Sequence, residues 1–127
     1  MMTLPNASSL PVDPEVLAML ADLQEPGEPD LLGELVALFL RDAPERLGAI
    51  DRGLADGDLS SVERAAHSLK GSASNLGAMG LHCLAACVED QARLGNPTAT
   101  AAEAAQLAGE FERVRTHLEL VVRGRTH

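Results

Sequence analysis

Apolar residues recur every three or four positions along most of this 127-residue chain, with polar residues between them. This spacing is typical of amphipathic α-helices. Five segments show the pattern, and their approximate predicted bounds are 14–23, 29–56, 58–76, 81–94 and 98–121. The sequence therefore predicts an all-α protein.

Short breaks rich in glycine, proline and asparagine separate the predicted helices, as in the breaker cluster 24–29 and the turn 95–97. Four amphipathic helices joined by short loops favour an antiparallel four-helix bundle with up-down-up-down topology. The short first helix is an addition to that bundle. We predict a flexible N-terminal segment at 1–12, one bundle domain at 13–124 and a C-terminal tail at 125–127.

Some boundaries stay open at this level. Pro44 either kinks the long second helix or splits it, and the apolar register that continues across it favours a kink. Asp58 or Ser60 caps the central helix, and the second choice would form a capping box with Glu63. Gly77 is placed to end that helix in a left-handed conformation.

Charge and composition narrow the function. The chain has 19 acidic and 10 basic residues, a formal charge of −9, and only Phe39 and Phe111 as aromatic residues. Such a surface repels phosphate backbones and offers little for bases to stack on, so nucleic acid is not an expected partner. There is no signal-peptide pattern and no apolar run of about 20 residues, so we expect a cytoplasmic protein that does not enter a membrane.

His67 stands out on the central helix. The apolar stripe of this helix comprises Leu59, Val62, Ala66, Leu69, Ala73 and Leu76. At about 100° per residue, His67 points roughly 130° away from the centre of that stripe, toward solvent. Its neighbours on the same face include Arg64, Lys70, Gly71 and Ser74. An exposed imidazole therefore lies one helical turn from a lysine and next to a bare glycine.

These residue types suit a nucleophilic histidine. An unperturbed histidine, with a pKa of about 6.5, has a neutral ring nitrogen at cytosolic pH. Lys70 would stabilise an anionic adduct, and small neighbours would let a second protein approach. The alternative is a solvated histidine with Lys70 present for solubility. Gly71 favours the functional interpretation, because glycine inside a helix costs about 1 kcal/mol relative to alanine.

The segment AAHSLKGSASNLGA, residues 65–78, resembles the signature of histidine-containing phosphotransfer (HPt) domains. The resemblance extends over roughly 13–124 and implies a four-helix bundle that relays phosphoryl groups. By position, His67 would accept the group from an aspartyl phosphate on a response-regulator receiver domain and pass it to another receiver. A (hybrid) sensor histidine kinase would belong to the same relay. Lys70 would lie near the phosphoryl group, and Gly71 would leave room for the receiver.

The resemblance also assigns residues on the fourth helix. Glu89 occupies the place of a residue that supports the imidazole, and Arg93 matches a basic residue found in some members. These two residues could equally be a routine i,i+4 pair. We expect the docking face to centre on His67 and to include Arg64, Gly71, Ser74 and Arg93 as well as His82.

The resemblance implies a phosphocarrier without ATP-dependent kinase activity or a cofactor of its own. The Mg²⁺ needed for transfer would come from the partner receiver. We expect a monomer, because four helices already cover one another's apolar faces.

Two alternatives remain. One is a non-catalytic helical interaction module that does not use His67. The other is a metal site at His82, Cys83 and Cys87, which is disfavoured because no second Cys/His pair completes four ligands. The two cysteines are then expected to be small, partly buried thiols.

Overall fold

The computed structural model describes residues 10–124, and this part of the chain is helical with no strand. Its helices are α1 (Pro14–Asp22), α2 (Leu31–Asp56), α3 (Leu59–Asn75), α4 (Met79–Arg93), α5 (Pro97–Ala104) and α6 (Leu107–Gly124). The predicted all-α class, with a short first helix before a bundle, is confirmed.

The bundle consists of α2, α3, α4 and α6. Each packs against the next, and α6 returns to contact α2, so the four helices enclose one core. Phe39 of α2 and Phe111 of α6 meet there, with ring centroids 5.9 Å apart. The largest fully buried side chains are Leu32, Ile50, Leu69, Leu81, Leu107, Leu118, Val12, Val62, Val88, Val114 and Thr100.

Polar side chains cap the helices where the sequence changes from loop to helix. Asp13 accepts a hydrogen bond from the Glu15 N–H at the start of α1. Asp58, not Ser60, caps α3 by accepting from the Ser61 N–H at 3.1 Å, so the capping box with Glu63 does not form. An Asp at this position satisfies a backbone donor of the first turn that would otherwise be unpaired.

Pro44 lies inside α2, which runs as a single helix across it. Splitting into two helices is therefore the wrong alternative. Ala43 and Ile50 are both buried, so the apolar face continues on either side of the proline. Packing of this face holds the helix together although Pro44 has no N–H to donate.

The single last helix of the prediction is wrong: residues 98–121 form α5 and α6 with a break at 105–106. Asn96 caps α5 by accepting from the Ala99 N–H. The Gln106 N–H bonds to the carbonyl of Glu103, three residues back, which tightens the chain at the break. Alanine-rich α5 packs mainly on α4, whereas α6 packs about equally on α4 and α2. The apolar face of α6 is buried at Leu107, Phe111, Val114 and Leu118, as the helical spacing of apolar residues in this segment predicts.

The N-terminal segment is attached to the turn between α3 and α4. The Asp13 N–H donates to the Gly77 carbonyl at 2.9 Å, and Val12 is fully buried. Gly77 has φ +78°, the left-handed conformation predicted for it, and a Cβ there would lie 2.8 Å from the Cβ of Val16. Most of the predicted flexible segment (1–9) and the tail 125–127 lie outside the described residues. No helix in the described part is long and apolar enough to cross a membrane.

Candidate functional site around His67

His67 lies on the solvent side of α3, and 67% of its side chain is exposed. Its helix is held from the opposite side, where Ala66 and Leu69 are fully buried. Helical periodicity thus presents the imidazole to solvent while the core fixes the backbone beneath it. A second protein can reach this ring.

Glu89 of α4 faces the ring from below. It is 8% exposed, between the buried residues Val88 and Ala92 of the core-facing side of its helix. Its Oε2 lies 2.9 Å from Nδ1 of His67. Hydrogen bonds from Lys70 and then from His67 hold the pKa of Glu89 below its usual range, against the opposing effect of burial. The group is therefore a carboxylate at neutral pH.

This contact sets the tautomer of the imidazole. A carboxylate only accepts hydrogen bonds, so Nδ1 of His67 carries the proton and donates to Glu89. In the neutral ring, Nε2 then holds the lone pair. The exposed histidine is thus prepared to act as a nucleophile through Nε2.

Lys70 completes the charge balance. Its Nζ lies 2.6 Å from Oε1 of Glu89, so this ammonium is the partner of a buried carboxylate oxygen. The Lys70 side chain is 28% exposed. One carboxylate of α4 therefore holds two neighbouring groups of α3, the imidazole and the ammonium. The structure brings together His67, Lys70 and Glu89, three of the residues that the resemblance assigned to the site.

Arg93 is more than an i,i+4 partner of Glu89. Its guanidinium bonds to Asp90 and lies 3.9 Å from Oε2 of Glu89 and also from Oε2 of Glu63 on α3. Glu63 was not among the predicted site residues. The sequence signal that could have identified Glu63 is its position four residues before His67, on the same face of the helix.

The surface beside His67 is open at Gly71. A Cβ added to Gly71 would meet no atom within 4 Å, and Ser74 is exposed one turn further on. The Arg64 guanidinium donates to the hydroxyls of Ser60 and Ser61. Arg64 also lines the same shallow depression as the imidazole, together with Glu63, Ser68 and Glu89.

The residues of the disfavoured metal site do not converge. His82 is half-buried, and its Nδ1 lies 3.1 Å from the backbone carbonyl oxygen of Lys70. Cys83 and Cys87 are free thiols and exposed, so the prediction that they are partly buried is wrong. Among residues 10–124, no group of three or more His, Cys, Asp or Glu side chains is arranged to hold a metal ion.

Comparison with known families agrees with this geometry. The model of the Hpt domain family matches residues 34–117, which contain both α3 and α4. The chain belongs to the histidine-containing phosphotransfer family. It therefore has a histidine phosphotransfer role in a phosphorelay, where HPt proteins interact with receiver domains and histidine kinases.

Individual HPt proteins are similar over most of the chain. Histidine-containing phosphotransfer protein 4 of Arabidopsis thaliana is 28% identical over 102 residues, 79% of this chain and 80% of the plant protein. The crystal structure of HptB from Pseudomonas aeruginosa superposes with a TM-score of 0.83 at 32% identity, covering 92% of this chain and 97% of HptB. The maize protein ZmHP2 gives 0.82 at 26% identity, covering 91% and 86%.

Proposed function

We propose that His67 accepts a phosphoryl group from the aspartyl phosphate of one receiver domain and passes it to the aspartate of another. The observation that carries this proposal is the 2.9 Å contact between Nδ1 of His67 and the carboxylate of Glu89, beneath an exposed ring. It leaves the lone pair on Nε2, where an incoming phosphorus atom can be attacked.

The transfer step balances without another reactant. The Nε2 lone pair of His67 attacks phosphorus, the N–P bond forms, and the P–O bond to the aspartate breaks with its electrons left on the carboxylate. The ring becomes a phosphoimidazolium whose Nδ1–H still donates to Glu89. The contact changes from a neutral donor on a carboxylate to an ion pair, which stabilises the product. Return to a second receiver follows the same path in reverse.

Cations from both proteins would neutralise the negative charge on the transferred phosphoryl group. Phosphoryl transfer depends on positioning and on cations near the equatorial oxygens. We assign Lys70 to this role on the HPt side, because its ammonium is one helical turn from His67 and held at the same carboxylate. We assign Mg²⁺ to the receiver, and we expect no cofactor in this chain and no ATP-dependent kinase activity of its own.

The docking face centres on His67 and Gly71. The bare backbone at Gly71 lets a receiver approach closely, and Ser74 and Arg64 are exposed on the same face of α3. Arg93 borders this face from α4. We expect a monomer to dock one receiver at a time, with the phosphoryl group originating in a hybrid sensor kinase.

Transfer from a ³²P-labelled receiver tests the proposal. Wild type is expected to acquire acid-labile, base-stable label, and His67→Gln is expected to acquire none while melting like wild type. His117→Gln on α6, outside the site, is the matched control and should be labelled normally. Label retained by His67→Gln would place the phosphohistidine elsewhere. Absence of label from a broad receiver panel, with the fold intact, would leave the non-catalytic interaction module.

A further inference from the structure

His82 makes a polar contact that phosphorylation of His67 does not by itself require. It lies in the first turn of α4, is half-buried, and directs Nδ1 at the backbone carbonyl oxygen of Lys70, 3.1 Å away. A carbonyl oxygen only accepts hydrogen bonds, so Nδ1 of His82 carries the proton and donates. A side chain of α4 thus holds the backbone of α3 at the residue whose ammonium serves the site.

Lys70 is consequently held at two points by the same helix. Its Nζ lies 2.6 Å from Oε1 of Glu89, and its carbonyl accepts from His82. His82 and Glu89 are seven residues apart, two turns along one face of α4. These contacts form a polar seam between α3 and α4, defined here as His82, Lys70, Glu89 and His67.

The backbone needs this support at Lys70. Gly71 follows it, and glycine inside a helix allows more backbone freedom than other residues. On the outer side no atom lies within 4 Å of a Cβ added to Gly71, so nothing packs there. Because the outer surface is open at Gly71, this turn of α3 is restrained from its α4 side, where His82 meets the Lys70 carbonyl.

The start of α4 benefits from the same bond. Its N-cap residue, Ala78, makes no side-chain capping hydrogen bond. His82 is the residue whose N–H bonds to the Ala78 carbonyl, so it belongs to the first closed turn of the helix. Its bond to the Lys70 carbonyl ties this turn of α4 to α3, two turns before Glu89.

We propose that His82 is a positioning residue for the phosphotransfer reaction, acting through the Lys70 carbonyl to keep Lys70 and Glu89 aligned on His67. The proposal rests on the proposed function of His67. It differs from the sequence-based prediction for His82, which placed this residue on the docking face. Loss of a positioning residue lowers the rate of phosphoryl transfer within the bound complex. Loss of a docking residue instead raises the receiver concentration at half-saturation.

Substitutions of His82 separate these roles. The amide nitrogen of asparagine lies as many bonds from the backbone as Nδ1, whereas that of glutamine lies one bond further, like Nε2. We expect His82→Ala to lower the maximal single-turnover transfer rate about three- to tenfold, in line with the loss of one hydrogen bond. His82→Asn should restore the rate to within about twofold, and His82→Gln should not. The receiver concentration at half-saturation should stay unchanged in all three.

One further measurement and a control variant make the test decisive. The ¹⁵N shifts of the His67 ring, read without any phosphoryl donor, should show a smaller Nδ1–H population in His82→Ala than in wild type. His117→Ala is the control and should change neither readout. An unchanged rate in His82→Ala, equal losses in the asparagine and glutamine variants at matched melting temperature, or a change confined to half-saturation would each overturn the proposal. Absence of label on wild type would instead overturn the function proposed for His67.

Discussion

Replacing Glu89 with alanine should slow phosphorylation of His67 without unfolding the protein. The substitution removes the acceptor of the His67 Nδ1–H and the partner of the Lys70 ammonium. Lys70 is 28% exposed and can turn its charge to water, so the loss falls mainly on the imidazole. Without the carboxylate, the ring is free to place its proton on Nε2, the nitrogen that must attack phosphorus.

The size of the effect follows from the change in charge during transfer. A hydrogen bond to a charged group contributes about 1.5–3 kcal/mol. Because 67% of the His67 side chain is exposed, solvent screens the imidazolium–carboxylate attraction, so the lower end of that range applies. A loss of about 1.4 kcal/mol corresponds to about tenfold in the transfer rate constant. The equilibrium between phosphorylated receiver and phosphorylated HPt protein should shift toward the receiver by a similar factor.

Glutamine at this position should be intermediate. Its amide has one oxygen to offer, whereas His67 and Lys70 both present donors to Glu89. If the oxygen faces Lys70, the amide N–H₂ faces the ring and favours the tautomer with the proton on Nε2. If the oxygen faces the ring, a donor meets the ammonium. We expect a loss of about threefold, since a neutral hydrogen bond is roughly half as strong as a charge-assisted one.

The assay is single-turnover transfer from a labelled receiver, with thermal unfolding measured on each variant. Asp90→Asn is the matched control, because Asp90 is exposed on the same helix and pairs with Arg93. Rates within about twofold of wild type for both Glu89 variants, with intact folds, would refute the tautomer argument. A loss in Asp90→Asn as large as in Glu89→Ala would show that charge near the site, and not the contact with the ring, is responsible.

Three further predictions concern the backbone and pH. Gly71→Ala should raise stability by about 0.5–1 kcal/mol in thermal unfolding, whereas Gly71→Gln should keep the fold but weaken receiver binding in titration calorimetry; equal affinities would contradict the docking role. Gly77→Ala and Gly57→Ala each place a Cβ on a left-handed backbone, which costs about 1–2 kcal/mol. A Cβ at Gly77 also clashes with Val16, whereas one at Gly57 meets nothing, so Gly77→Ala should lower the melting temperature more than its control, Gly57→Ala. The pKa of Glu89 is lowered in the folded protein, so its carboxylate should add stability above about pH 4.3, and this stability should disappear as the pH falls through the folded pKa. Unfolding curves of Glu89→Gln should lack this pH-dependent stability; pH profiles identical to those of wild type would argue against the contribution of Glu89.

Periodicity and turn residues determined most of the architecture. The stripe from Val62 to Ala73 placed His67 on the solvent side, and the same side is exposed in the structure. An aspartate just before the first turn also marks where a helix starts. Asp13 shows why this is predictable, because it caps α1 through a contact only two residues away in sequence. These features depend on residues within about two turns of one another, so the sequence alone contains the information.

Tertiary packing decided the features that depend on distant partners. The break at 105–106 separates α5, which packs mainly on α4, from α6, which packs about equally on α4 and α2, and the apolar pattern of 98–121 did not predict it. The burial of Glu89 beneath His67, across 22 residues of sequence, and the bond from His82 to the Lys70 carbonyl are set by the register of α4 on α3. A helical pattern specifies which face is buried, but the neighbour that each polar group meets depends on how two helices slide and rotate against each other.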